Sequence, residues 1–355
     1  MSKRILLFFL FPILGFAQQK DRLLRDKSII ALPVAFRFPE TGWGGGVAGT
    51  ASWSWAKDSA WAKPSQASLG LTFTQNKQVL AFFPFQVFWA NDKYYANADI
   101  GWFKYNFFYY GIGEDAVVEE RYDVKFPRIK LLIGKQIKPN VYVGARVNYE
   151  EYSITGTAEN GELASGRING SDYSRTSALG PALLRDTRDA VFYPRKGMFG
   201  ELNILQSSKI FGADRSFTQA TIDVSLYKSL SDKMVLASNY YGVFTFGKEV
   251  PFSQMAQLGG PKKMRGIYQG FFRDKNAALL QGELRWEIWK FIGMVGFGSV
   301  GFLGNETDFL RLNLPKFTYG AGLRISTKNH LNLRLDYGLS PYGEGNFYAT
   351  IGEAF

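Results

Sequence analysis

A strict two-residue alternation of apolar and polar side chains runs through most of the chain, and it restricts the fold more than any other feature. Leu331, Leu333, Leu335, Tyr337 and Leu339 hold one parity, against Asn332, Arg334, Asp336, Gly338 and Ser340 on the other. Phe317, Tyr319, Ala321, Leu323 and Ile325 alternate with Thr318, Gly320, Gly322, Arg324 and Ser326. Val141, Val143, Ala145, Val147 and Tyr149 alternate with Tyr142, Gly144, Arg146, Asn148 and Glu150. A period of two places each set on one face of a strand. Charges such as Arg334 and Asp336 fall mid-strand, so their face cannot meet lipid, whereas the opposite face is apolar enough to do so.

Sixteen such segments are predicted, near 29–38, 42–55, 65–75, 79–90, 94–105, 122–136, 140–154, 174–185, 197–209, 215–229, 233–246, 277–289, 293–303, 317–327, 330–340 and 346–355. A tilted strand of about 9–11 residues crosses a bilayer. The connections alternate: 91–93, 137–139, 230–232 and 328–329 are short, while those near 106–121, 155–173, 247–276 and 304–316 are long. Short turns at one rim and long loops at the other are the pattern of an outer-membrane barrel. Trp53, Trp55, Trp89, Trp102, Tyr109, Tyr110, Trp286 and Trp289 lie near segment ends, as interfacial girdles would. A soluble sandwich would keep its outer face charged, and no repeat of 40–50 residues supports a propeller. The expected fold is all-β: a 16-stranded antiparallel transmembrane barrel over residues 29–355.

The first residues set the compartment. Lys3 and Arg4 precede an apolar run, Ile5–Phe16, too short to span a bilayer as a helix. Gly15 and Ala17 supply the small residues of a cleavage site, so residues 1–17 read as a signal peptide and residues 18–28 as a short periplasmic segment. The chain carries a net charge of +11. In an exported protein such basicity faces anionic lipid or lines a channel, and nucleic acid is not an expected partner. With no Cys and one His, thiol chemistry, disulfides and multi-His metal sites are excluded. His330 sits in a short turn, and Glu114, Asp115, Glu119 and Glu120 form a solvated acidic loop. No enzyme activity, metal or cofactor is expected.

Three motifs stand above this background. The first is Leu184-Arg185-Asp186-Thr187-Arg188-Asp189-Ala190-Val191-Phe192-Tyr193-Pro194-Arg195-Lys196-Gly197, a turn between strands. Pro194 fixes its φ, Gly197 permits reversal, and Arg188 lies between two carboxylates with which local pairing would stiffen it. The second is Leu258-Gly259-Gly260-Pro261-Lys262-Lys263-Met264-Arg265-Gly266-Ile267-Tyr268, continuing to Phe272-Arg273-Asp274-Lys275-Asn276, in the longest loop. The third is Gly282-Glu283-Leu284-Arg285 on the strand that follows.

Their order, and the ending Arg334-Leu335-Asp336-Tyr337-Gly338 … Phe355, resemble the BamA-type outer-membrane assembly and translocation superfamily, also called the bacterial surface antigen barrel. The resemblance covers residues 180–355; the earlier half matches by strand count and loop order. It implies a loop folded into the lumen, with Arg265, Gly266 and Tyr268 as the tip that locks onto the inner wall. An inward guanidinium needs a partner, and parity turns Glu283 and Arg285 inward, so Glu283 is the expected counter-ion. A second wall motif of the superfamily, Phe-x-Asp-x-Gly, is matched by Phe297, Ser299 and Gly301, with Ser299 in place of the acid. Phe355 matches the aromatic residue that ends such barrels. The superfamily's periplasmic receptor repeats have no counterpart in Gln18–Ser28, so a short form is expected.

The implied partners are outer-membrane lipids, other envelope proteins and client barrels. The implied function is insertion or translocation through a plugged lumen and a weak seam between the first and last strands. Pro33 in the first strand, the glycines of the second (Gly42, Gly44, Gly45, Gly46, Gly49) and the short Gly352–Phe355 end point to that seam. Pro84 and Pro181 also fall in strands, so proline alone does not mark a gate. The alternative is a structural or passive-diffusion barrel serving an envelope complex.

Overall fold

The computed structural model describes residues 28–38, 42–58, 62–113, 119–305, 314–326 and 332–355. The expected signal peptide, the turn at 328–329, His330, Glu114 and Asp115 lie outside these residues. The strands are β1 (Ser28–Phe38), β2 (Gly42–Trp53), β3 (Ser65–Thr74), β4 (Val79–Trp89), β5 (Tyr94–Tyr109) and β6 (Glu120–Lys138). They continue as β7 (Val141–Gly156), β8 (Tyr173–Asp186), β9 (Gly197–Ser207), β10 (Phe217–Ser231) and β11 (Met234–Phe246). Two short strands, β12 (Ala256–Leu258) and β13 (Phe272–Asp274), lie within the longest loop. The wall resumes with β14 (Asn276–Trp289), β15 (Ile292–Gly304), β16 (Lys316–Ser326), β17 (Asn332–Ser340) and β18 (Gly343–Ile351).

Sixteen of these strands form one antiparallel sheet in sequence order, and β12 and β13 pair with each other inside it. All sixteen expected segments are strands of that sheet. No helix among the described residues is long and apolar enough to cross a membrane. Within the sheet the fourteen interior strands each pair with a neighbour on both edges, the arrangement that the hydrocarbon region demands of a strand.

The two parities separate cleanly. On β16, Phe317, Tyr319, Leu323 and Ile325 are exposed, while Thr318 and Arg324 are buried in the lumen. On β14, Leu280, Leu284, Trp286 and Ile288 face out, whereas Gln281, Glu283 and Arg285 face in. Trp55, Trp102, Trp286 and Trp289 are exposed near the rims. Tyr109 departs from the girdle expectation. It shares the inward parity of Tyr95 on β5 and is fully buried.

Two features mark the seam, and the second differs from the expectation. Among the described residues, β1 and β18 stand at opposite ends of the ladder order and share no ladder with each other. The last strand also ends at Ile351 rather than 355. Gly352 takes φ 84°, a left-handed conformation that glycine enters without a Cβ clash. Residues 353–355 then turn toward the inner wall, and Phe355 leaves the parity of Phe347 and Ala349.

Lipid contact by the apolar parity has a direct consequence. Leu236→Arg, on the outer face of β11, should lower unfolding free energy in lipid vesicles by about 2–4 kcal/mol if it lies near the midplane. Urea titration with tryptophan fluorescence reads this. Equal stability of the variant and the parent would refute the lipid-facing assignment.

Candidate functional site

The site grows from Arg265. The loop between β11 and β14 carries it into the lumen, where its side chain is buried against the wall. Its guanidinium forms ion pairs with Glu283 on β14 and Asp336 on β17. The ring of Phe297 on β15 lies 3.7 Å from Arg265 Cζ, a cation–π contact that stabilises by ~0.5–2 kcal/mol. The expected Arg265–Glu283 pair is thus present. Asp336 is the part that sequence reasoning missed, although its inward mid-strand parity was visible.

The motif with Ser299 in place of an acid is explained by this geometry. Ser299 Oγ lies 2.7 Å from Thr318 Oγ1 and plays no part in the ion cluster. The second carboxylate comes instead from two strands further along the wall. Gly301 serves close approach: a Cβ there would lie 2.9 Å from Leu258 Cδ1 and 3.0 Å from Met264 Sδ. The Phe297-x-Ser299-x-Gly301 face is therefore a seat for the loop.

More arginines surround the same carboxylates. Arg285 Nε is 2.8 Å from Glu283 Oε2. Arg324 Nη1 is 2.6 Å from Asp336 Oδ1, and Arg334 Nε is 3.5 Å from Asp336 Oδ2. Arg324 Nε also meets Glu353 Oε2 at 2.9 Å. Four guanidiniums thus share three carboxylates. Burial of that much charge is tolerable only because every member has an opposite partner.

The rest of the tip holds β18. Gly266 N donates to Tyr348 Oη at 3.1 Å, Tyr348 Oη donates to Ile267 O at 2.9 Å, and Asn346 Nδ2 donates to Gly266 O at 3.1 Å. Tyr268 does not join this wall. Its ring packs 5.7 Å from Phe108 and 5.8 Å from Tyr110, at the end of β5. The backbone turns between Gly266 and Tyr268, so the two residues serve opposite sides of the barrel.

A second anchor was not foreseen. Phe252 is fully buried, with Tyr109, Tyr122 and Tyr152 edge-on around it at 5.7–5.8 Å. Arg273 lies over Phe252 at 4.9 Å, and Gln254 Nε2 donates to Glu150 Oε1 at 2.6 Å. The loop therefore grips the β5–β7 wall with its early residues and the β14–β18 wall with its tip. The signal was the odd parity of β5, which turns Tyr109 inward.

The turn motif seals the opposite rim. Arg188 Nε and Nη2 donate to the two oxygens of Asp186 at 2.9 and 3.0 Å. Asp189 takes a different role from the expected ion pair: its carboxylate accepts the backbone N–H groups of Arg195 and Lys196 at 2.9 and 3.2 Å. Asp189 directly follows Arg188, and its side chain points across the turn toward the chain's return rather than toward Arg188. Lys63, from the β2–β3 connection, reaches Asp186 at 3.4 Å, and burial lowers its pKa below that of an ordinary lysine. Arg195 Nη1 bonds Glu287 at 2.6 Å, stitching the turn to β14. Pro194 is buried, and Gly197 opens β9 with φ 98°. Tyr193 lies 5.7 Å from Arg285 Cζ, and burial pushes its hydroxyl up to about 12.

Among the described residues there is no cluster of His, Asp and Glu able to hold a metal. What the arrangement offers is mechanical: a strut across the lumen, fixed at both ends by separable contacts.

Comparisons with known proteins agree with this architecture. The profile of the Omp85 superfamily domain matches residues 59–355. The human sorting and assembly machinery component 50 homolog is 26% identical over 196 residues, 47% of this chain and 42% of that protein. The chain thus matches less than half the length of that relative. Among solved structures, BamA from Haemophilus ducreyi lacking POTRA domains 1–3 superposes with TM-score 0.58 at 15% identity, covering 92% of this chain and 70% of that one. CdiB from Escherichia coli gives 0.57 at 14% identity, covering 92% and 62%. At such identities the likeness is one of fold.

The buried ion cluster predicts a contrast between two inward positions. Asp336→Asn should destabilise the barrel by about 3–5 kcal/mol, because it strands buried guanidinium charge. Ser299→Ala should cost only about 1 kcal/mol, the worth of one hydrogen bond. Equal losses in urea unfolding would show that Asp336 contributes no more than an ordinary polar contact.

Proposed function

This chain belongs to the Omp85 superfamily, and from that premise we propose that it inserts or translocates proteins or lipids at the bacterial outer membrane. In this reading the loop between β11 and β14 plugs the lumen and the interrupted β1–β18 seam is the route of passage. The observation that carries the reading is the grip of one loop tip on both sides of the problem. Arg265 ties it to β14 and β17, while Gly266 and Ile267 tie it to β18, the strand whose outer edge shares no ladder with β1. An unpaired strand edge is a template for an incoming strand. The name of the human relative, a component of a sorting and assembly machinery, supports the same class of work.

The signal peptide at residues 1–17 and export to the outer membrane complete this proposal. So do the partners it requires: outer-membrane lipids and client or companion envelope proteins.

Two measurements test it. Release of the plug by Arg265→Ala should raise conductance in planar bilayers. The chain has no cysteine, so one cysteine in β1 and one in β18 can lock the seam selectively. Cells that depend on this protein should lose function on oxidation and recover it on reduction. Intact function with a fully locked seam would transfer the assignment to a structural or passive-diffusion barrel.

A further inference from the structure

Residues 352–355 are held by the same arginines that hold the carboxylates of Arg265. After the bend at Gly352, Glu353 enters the lumen side of the wall. Its Oε2 lies 2.9 Å from Arg324 Nε and 3.9 Å from Arg285 Nε, and its Oε1 accepts from Asn332 Nδ2 at 2.5 Å. Ala354 is buried. Arg285 Nη2 donates to Phe355 O at 3.0 Å, and the Arg285 guanidinium sits 5.6–5.7 Å from the rings of Phe355, Tyr193 and Tyr227. None of these contacts is a sheet contact. They form a dock for a segment that has left the ladder.

The dock and the loop lock draw on one set of charges. Arg285 serves Glu283 and Glu353, and Arg324 serves Asp336 and Glu353. Glu283 and Asp336 are also the partners of Arg265. If Arg265 withdraws, each of its carboxylates loses one of its cations, and Arg285 and Arg324 are drawn toward them and away from Glu353. If Glu353 withdraws, two guanidiniums lose an anion and turn to Glu283 and Asp336, where they compete with Arg265. Both displacements weaken the other contact, so docking of loop and tail is mutually favourable. Thermodynamic linkage requires the coupling to be equal in both directions.

We propose that residues 352–355 form an inward latch whose docking is coupled to that of the loop tip through Arg285 and Arg324. The loop, which bonds Asn346 and Tyr348 of β18 directly, would then also report its state through these arginines to residues 353–355 beyond it. The coupling stands on the charge geometry alone, whether or not the seam passes a client.

The test uses the full chain in lipid nanodiscs, with single cysteines as reporters and heat-modifiable gel migration as the check of folding. Ala354→Cys reports the tail and Ile267→Cys, buried in the loop, reports the tip. Arg265→Ala should speed maleimide labelling of Ala354→Cys by about fivefold or more, and Glu353→Gln should speed labelling of Ile267→Cys by a similar factor. Should either variant fail to fold, Arg265→Lys and Asn332→Ala weaken the same two contacts with less disruption and should move the same pair of rates. If every variant exposes its own segment and leaves the other unchanged, the coupling does not exist. Client insertion is not part of this readout, so loss of the latch and loss of the proposed function are separate results.

Discussion

The guanidinium of Arg265 cannot be left alone inside the barrel. A charge withdrawn from water must meet opposite charge and hydrogen-bond acceptors, or its desolvation outweighs whatever else the loop gains. Glu283 and Asp336 meet that need from two strands, and Phe297 closes the third side. The same two carboxylates also hold Arg285, Arg324 and Arg334, and Glu353 supplies the third anion that so many guanidiniums need. The loop's path, the inward charges of β14, β16 and β17, and the place of residues 352–355 follow from that one requirement.

The bilayer imposes a second requirement on the outside. Each strand must pair on both edges while its outer face stays apolar. The ladder from β1 to β18 satisfies this through its interior and stops at the seam. A sheet of sixteen strands encloses a wide lumen, and the fold fills it in two ways. Aromatic side chains around Phe252 occupy the β5–β7 side, and the ion cluster occupies the β14–β18 side. The first anchor is largely apolar and the second ionic, so the two ends of the strut respond to different perturbations.

The opposite rim is built by stitching rather than by a plug. Asp186 gathers Arg188 and Lys63, and Arg195 joins the turn to β14 through Glu287. Tyr193 sits under Arg285, so this rim abuts the ion cluster itself. The three sequence motifs, separate along the chain, meet around one arginine.

Much of this was legible in the residues. The period of two gave sixteen strands and their faces, because a pleated strand has no other way to arrange alternate side chains. The partnership of Arg265 and Glu283 followed from the resemblance and from inward parity. Parity assigns a side chain to a face, but it does not give its height on the wall or its neighbours around the circumference. For that reason Asp336, 71 residues from Arg265, was visible as an inward charge but not as its partner. The same limit hid the packing of Tyr109 with Phe252 and the turn of Tyr268 away from Gly266. Alternation also carried the last strand to Phe355, whereas the fold turns the chain at Gly352 because the ion pairs of Glu353 exist only once β14, β16 and β17 stand side by side. Local alternation fixes strands, faces and the charged loop, because it depends only on neighbouring residues; the lateral order of the strands around the lumen decides which charges meet.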